Sequence, residues 1–150
     1  MQNGKIKKIW NLLDSVPDPE IPVISVVELG VIRDIIYENN NYEISITPTY
    51  SGCPAVKTFM DDIAECLKNN DIKNFLLKIV YSPAWTTDWM SDETKDKLRK
   101  YGISPPSDKA VCPQCNSSNT NLISEFGATA CKSFHKCIDC LEPFEHFKCI

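Results

Sequence analysis

Only two histidines occur in this chain, His135 and His146, and both lie in its last quarter. No histidine lies near a candidate nucleophile elsewhere, and the five glycines form no cofactor-binding loop. These gaps argue against an enzyme built on a nucleophile–base pair. Long apolar runs are missing as well. No 18-residue apolar stretch occurs, and the opening MQNGKIKKIW holds no secretory-type apolar core. The expectation is a cytoplasmic protein with reduced thiols and no membrane partner. Basic clusters are absent too. Lys and Arg number 16 against 20 Asp and Glu, for a net charge of −4. From residue 109 onward the balance is 4 against 4. Binding to a phosphate backbone needs clustered cations, so nucleic acid is excluded as a partner.

Cysteine, by contrast, is abundant, with eight in 150 residues. Cys112-Pro-Gln-Cys115 and Cys137-Ile-Asp-Cys140 are two CxxC pairs with 21 residues between them. That gap is just above the usual zinc-ribbon range of about 15–20 residues. Four thiolates at two turns suit one tetrahedral zinc ion. Disulfides fit less well: rings closed within CxxC are strained, and bridges across the pairs need an oxidising compartment. Asn116-Ser117-Ser118-Asn119 reads as turn, not as the helix start of a thioredoxin-type motif.

The remaining chain reads as an α+β protein: a small α-β-β-α-β-α domain over residues 1–103, a linker over 104–109, and a C-terminal zinc ribbon over 110–150. Ile6, Ile9, Trp10, Leu13 and Val16 recur at helical spacing, so a helix is expected near 5–16, ended by Pro17, Pro19 and Pro22. Val31–Tyr37 and Tyr42–Thr49 read as a hairpin around Glu38-Asn39-Asn40-Asn41. Val56, Phe59, Met60, Ile63 and Leu67 mark a second helix, and Phe75–Tyr81 a third strand. Ser91 caps a third helix that carries Asp92 and Glu93 early, Lys97, Arg99 and Lys100 late, and Gly102 just beyond. Ser104-Pro105-Pro106-Ser107-Asp108 is the expected boundary, followed by a three-stranded ribbon too small to hold itself by core burial. Metal is then the main source of its stability.

Other positions carry two readings each. Cys53 sits between a strand and a helix, where unpaired backbone N–H groups favour a thiolate, with Thr49 and Ser51 as hydrogen-bond donors; the competing reading is a small buried packing residue. Cys66 lies 13 residues further on, roughly 20 Å away along a helix, and reads as packing. Asp18 and Glu20 sit in the proline-stiffened Asp18-Pro19-Glu20-Ile21-Pro22 loop, facing a metal or thiol or forming a plain surface turn. Cys131 and Cys149 exceed the four-ligand site and are either free thiols or soft ligands for a second, transient metal. His135 and His146 read as ribbon surface residues. Trp85-Thr86-Thr87-Asp88-Trp89-Met90 is a packing cluster or an exposed docking patch.

The segments VPDPEIPVISVVELGVIRDI, ITPTYSGCPA, SPAWTTDWMS, KLRKYGISPP, ISEFGATACKSF and CLEPFEHFKCI, in this order, closely resemble the PaaD family of bacterial phenylacetate degradation. The first two also resemble SufT-like iron–sulfur assembly domains, a likeness that stops near residue 100. The resemblance implies an accessory protein, not an enzyme: an assembly or maturation factor for an iron–sulfur or di-iron centre of the multicomponent phenylacetyl-CoA epoxidase. Its implied partners are the oxygenase and reductase subunits of that complex, and a homodimer is compatible with the sequence. The alternative is a non-catalytic structural or adaptor subunit. The implied cofactor is zinc in the ribbon, with iron or an iron–sulfur cluster as transient cargo. The assembly motif falls on Asp18, Pro19 and Glu20 and on Thr49, Ser51, Gly52, Cys53 and Pro54, which makes these the implied metal-transfer residues.

Overall fold

The computed structural model describes residues 2–49 and 55–149. It divides into two compact units, residues 1–85 and 86–150. The architecture is α+β in both.

In the first unit, helix α1 (Gln2–Leu13) ends before Pro17, three residues earlier than its apolar spacing suggested. It packs on strand β1 (Ile32–Glu38) and on helix α3 (Val56–Asn69). β1 pairs antiparallel with β2 (Asn41–Ile46), and Asn39 and Asn40 both take positive φ, 52° and 59°. Two left-handed residues make the tight turn whose twist matches the strands, and asparagine tolerates that conformation better than most. The chain then crosses through α3 to β3 (Phe75–Ile79), which pairs parallel with β2, giving the order β1-β2-β3. α3 buries Phe59, Ile63 and Leu67, one stripe at four-residue spacing. Each such side chain contributes about 1.5–3 kcal/mol on full burial. A short helix, α2 (Val26–Leu29), was not anticipated. Ser25 and Glu28 form a reciprocal capping box at its start, and Gly30 closes it at φ 88°. The Ser-x-x-Glu spacing carried that signal. Trp85 is buried and its indole N–H donates to the Leu29 carbonyl at 3.0 Å.

In the second unit, Thr86 caps a turn of 3-10 helix (Thr87–Trp89), and Thr87 and Met90 are buried. With Trp85 also buried, the stretch is packing and not an exposed docking patch. Helix α4 (Asp92–Tyr101) has the expected Ser91 cap, with the Thr94 amide 3.1 Å from the Ser91 hydroxyl, and Gly102 ends it at φ 101°. The linker expected over 104–109 is the main difference. Ile103–Ser104 form strand β4, which pairs parallel with β7 (Pro143–Phe147). The sheet is therefore four-stranded, not three, in the order β4-β7-β6-β5, with β5 at Thr120–Ser124 and β6 at Lys132–Cys137. Ser104, Pro105 and Pro106 are buried, so these prolines pack instead of spacing two domains. The division falls at Trp85/Thr86 because β4 joins the ribbon's sheet and carries the end of α4 with it.

Candidate metal centre and the N-terminal loop

The two CxxC pairs close on each other. The Sγ atoms of Cys112, Cys115, Cys137 and Cys140 all lie within 4.8 Å of one another. Contacts run across the pairs, Cys112 to Cys140 at 3.6 Å and Cys115 to Cys137 at 3.5 Å. A tetrahedral ion with metal–sulfur bonds near 2.3 Å separates its sulfurs by about 3.8 Å, so the group has the size of a zinc site. Each knuckle ends on a left-handed residue, Asn116 at φ 62° and Leu141 at φ 66°. That reversal turns the chain back: the Cys112 amide donates to Ser117 O and the Cys137 amide to Glu142 O, both at 2.9 Å. Cys112 and Cys137 are buried with Ala110 and Phe144, while Cys115 and Cys140 are exposed.

The electrostatics call for a cation. The Cys140 amide donates to Cys137 Sγ at 3.4 Å and draws that thiol down to about 7. The Glu142 amide draws Cys140 down, but desolvation and the neighbouring sulfurs outweigh it and push the thiol up to about 12. Cys115 is likewise raised: the Ser117 amide pulls it down, and Cys137 and desolvation override that. Four thiolates this close repel one another until a cation neutralises them. Metal uptake must therefore displace the protons of Cys140 and Cys115 at any pH near neutral. Each displaced proton weakens binding about tenfold per unit of falling pH. Chelator competition between pH 8 and pH 6 is expected to show affinity dropping at least about 100-fold per unit, more steeply below pH 7 as Cys137 also takes a proton. A slope under tenfold per unit contradicts this.

Cys131 and Cys149 do not join the four-sulfur group, and no other metal-sized cluster occurs among the described residues. Cys131 is buried, its Sγ 3.0 Å from Thr129 Oγ1, and exposed Cys149 accepts from Thr87 Oγ1 at 3.8 Å. His146 is not a surface residue. It is 7% exposed, and its Nδ1 lies 3.0 Å from Ser104 Oγ, which accepts from the Val111 amide at 3.1 Å. Burial, then repulsion from His135, lowers its pKa below the ordinary imidazole value. The signal missed in the sequence was alternation: Phe144 and His146 share one face of β7. His135 is half-buried, stacked on Phe144 and 2.7 Å from Ser133 Oγ through Nε2.

In the first unit, Asp18 is 4% exposed. It accepts from the Glu20 amide at 2.8 Å, and its own amide donates to Ile24 O at 2.8 Å. Glu20 is half-buried beside it. The chain runs from this loop through α2 into β1, while Thr49 follows β2 and is buried. Because Ile32 pairs with Ile46, and Thr47 donates its amide to Val31 O at 2.8 Å, the two stretches share one end of the sheet. Ser51, Gly52, Cys53 and Pro54 lie outside the described residues. Cys66, on α3, donates to Leu12 O at 3.5 Å, as a packing thiol does.

Thr47 itself was overlooked. It is 1% exposed, and its hydroxyl has no hydrogen-bond partner among the described residues. An unpaired buried hydroxyl costs about 1–3 kcal/mol. Thr47→Val, which keeps the shape, is expected to stabilise the protein by about 1 kcal/mol in chemical denaturation. A loss of stability of that size would mean the hydroxyl has a partner.

Comparisons with known proteins fit both units. A family model for the PaaD zinc beta ribbon domain matches residues 99–148, and one for an iron–sulfur cluster assembly protein matches residues 6–71. An Escherichia coli (strain K12) protein, provisionally named as one of the subunits of 1,2-phenylacetyl-CoA epoxidase, is 43% identical over 97% of this chain and 94% of its own length. The Fe-S protein maturation auxiliary factor YitW of Bacillus subtilis (strain 168) is 32% identical over 65% of this chain and 97% of its own. Among solved structures, a domain of unknown function, DUF59, from Bacillus anthracis superposes with a TM-score of 0.60 at 31% identity, covering 65% of this chain and 93% of that one. With the E. coli likeness running almost end to end and the ribbon match ending just past β7, this chain belongs to the PaaD family.

Proposed function

We propose that this protein matures a metal centre, iron–sulfur or di-iron, of a phenylacetyl-CoA epoxidase complex and takes no part in its turnover. One observation carries the reading: a single chain joins an iron–sulfur cluster assembly domain to a PaaD ribbon. Relatives of the first part are named maturation auxiliary factors, and the full-length relative is named as a component of that epoxidase.

The ribbon's four cysteines hold zinc, which supplies structure. Transfer belongs to Cys53. The helix that follows it opens on Ala55 with no side-chain cap and no acidic residue in its first turn. The positive end of such a helix stabilises a thiolate just ahead of it in sequence. Thiolates are soft, exchangeable ligands for iron that is bound and then released. Under this reading Thr49 and Ser51 are the hydroxyl donors to that thiolate, and Asp18 and Glu20 border the end of the sheet that Thr49 follows. Iron or a cluster is the substrate of this site, and the oxygenase and reductase subunits are its clients.

The name of the E. coli relative favours a second reading, a structural or adaptor subunit with no chemistry at Cys53. A strain lacking the protein separates the two. Under the maturation reading its oxygenase and reductase polypeptides accumulate but carry less iron. Full metal content with no assembled complex supports the adaptor.

A further inference from the structure

We propose that Asp139 is a positioning residue that clamps the two cysteine knuckles together and sets how fast the ribbon gives up its metal. The metal group has an inner half and an outer half. Cys112 and Cys137 are buried with Ala110 and Phe144, while Cys115 and Cys140 face solvent. Metal leaves through the outer half, by the two knuckles spreading apart.

Asp139 stands on that outer rim, between Cys137 and Cys140, and reaches across to the other knuckle. Its Oδ2 accepts from the Ser117 hydroxyl and its Oδ1 accepts from Asn119 Nδ2 at 3.2 Å. Both partners belong to the turn that closes the first knuckle. The Ser117 carbonyl accepts from the Cys112 amide at 2.9 Å, and its hydroxyl accepts from the Asn119 amide at 3.0 Å. The neighbouring Ile138 amide adds a bond to Asn119 O at 2.9 Å. One carboxylate thus grips two side chains whose backbones are fixed to the opposite pair of ligands. Exposed hydrogen bonds of this kind add little to the stability of a fold. Here they span the gap that must open before Cys115 and Cys140 separate, so their effect falls on release and not on folding. Outer-shell partners of metal ligands are typically worth about 10–100-fold in metal retention.

The test uses the full-length zinc-loaded protein and a chromogenic chelator in excess. Asp139→Ala is expected to release zinc about 10–100-fold faster than the parent. Asp139→Asn keeps one acceptor oxygen and falls between them. Thr120→Ala serves as the control. It removes a hydrogen bond of the same hairpin, Thr120 Oγ1 to Ala110 O at 2.8 Å, that does not join the knuckles, and it is expected to stay within about twofold. Cobalt-substituted Asp139→Ala is expected to keep the charge-transfer intensity of four thiolates, which shows an intact ligand set. If Asp139→Ala does not fold, Ser117→Ala removes one of the two clamped hydroxyl and amide partners and must itself speed release. In a folded double variant, the acceleration is expected to fall short of the product of the two single effects, since both changes break the Asp139–Ser117 bond. Parental release rates in Asp139→Ala or Ser117→Ala overturn the proposal. So does equal acceleration by Thr120→Ala, or loss of thiolate bands in the cobalt form.

Discussion

Replacing any one of Cys112, Cys115, Cys137 or Cys140 by serine is expected to unfold residues 86–150 while residues 1–85 stay folded. Among the described residues the buried cluster at the four-cysteine group is Ala110, Cys112, Cys137 and Phe144, and two of these four are the cysteines themselves. β5 is exposed along nearly its whole length, so it adds little burial. Structural zinc in such units contributes roughly 10–16 kcal/mol, more than a core of this size supplies. Because β4 pairs with β7 and α4 packs on β4, the loss should extend past the ribbon through α4, which a boundary at residues 104–109 would not predict. The first unit has its own core, in which Ile9, Leu13, Ile44, Ile63 and Leu67 are fully buried. Hydrogen exchange with metal analysis checks this. Protected amides in β6 and β7 of a metal-free variant contradict it.

The second large effect is expected in cells. Loss of the protein, or Cys53→Ala alone, should leave the epoxidase polypeptides present but under-loaded with iron, and growth on phenylacetate should be poor. The residue is singled out by its chemistry: a thiol just ahead in sequence of a helix whose N-cap, Ala55, offers no side-chain cap and whose stripe of Phe59, Ile63 and Leu67 is buried. Cys66 is the internal control, since its thiol is engaged with Leu12 O. Cys66→Ala should change stability slightly and metal loading not at all. Normal iron content in the Cys53→Ala strain, with the variant expressed, removes that thiol from the reaction.

What could be read in advance, and what could not, divides along physical lines. The four-cysteine group was legible because CxxC spacing is local, and two such pairs leave few alternatives for four thiols. Ser91, Asp92 and Gly102 likewise announced α4 through signals that act within one turn. The Asn39-Asn40 turn was legible for the same reason. Ser104-Pro105-Pro106 misled, because proline marks a break in helix or strand interior but says nothing of burial. Only a partner strand about 40 residues away in sequence, β7, decides that these residues pack. His146 was misread for a different reason: the two-residue alternation of β7 puts it on the buried face with Phe144, and that local signal was passed over. Asp139 and Thr47 are ordinary polar residues in sequence and become distinctive only through what their side chains meet, or fail to meet.

The central claim is that the protein acts before turnover and not during it. Reconstitution tests that most directly. Fully metallated oxygenase and reductase, purified from cells that contain this protein, are freed of it and assayed with phenylacetyl-CoA, with and without adding it back. The maturation account predicts equal turnover in the two assays. Turnover that rises in proportion to added protein and saturates at a fixed ratio to the oxygenase would make it a working subunit and contradict the account.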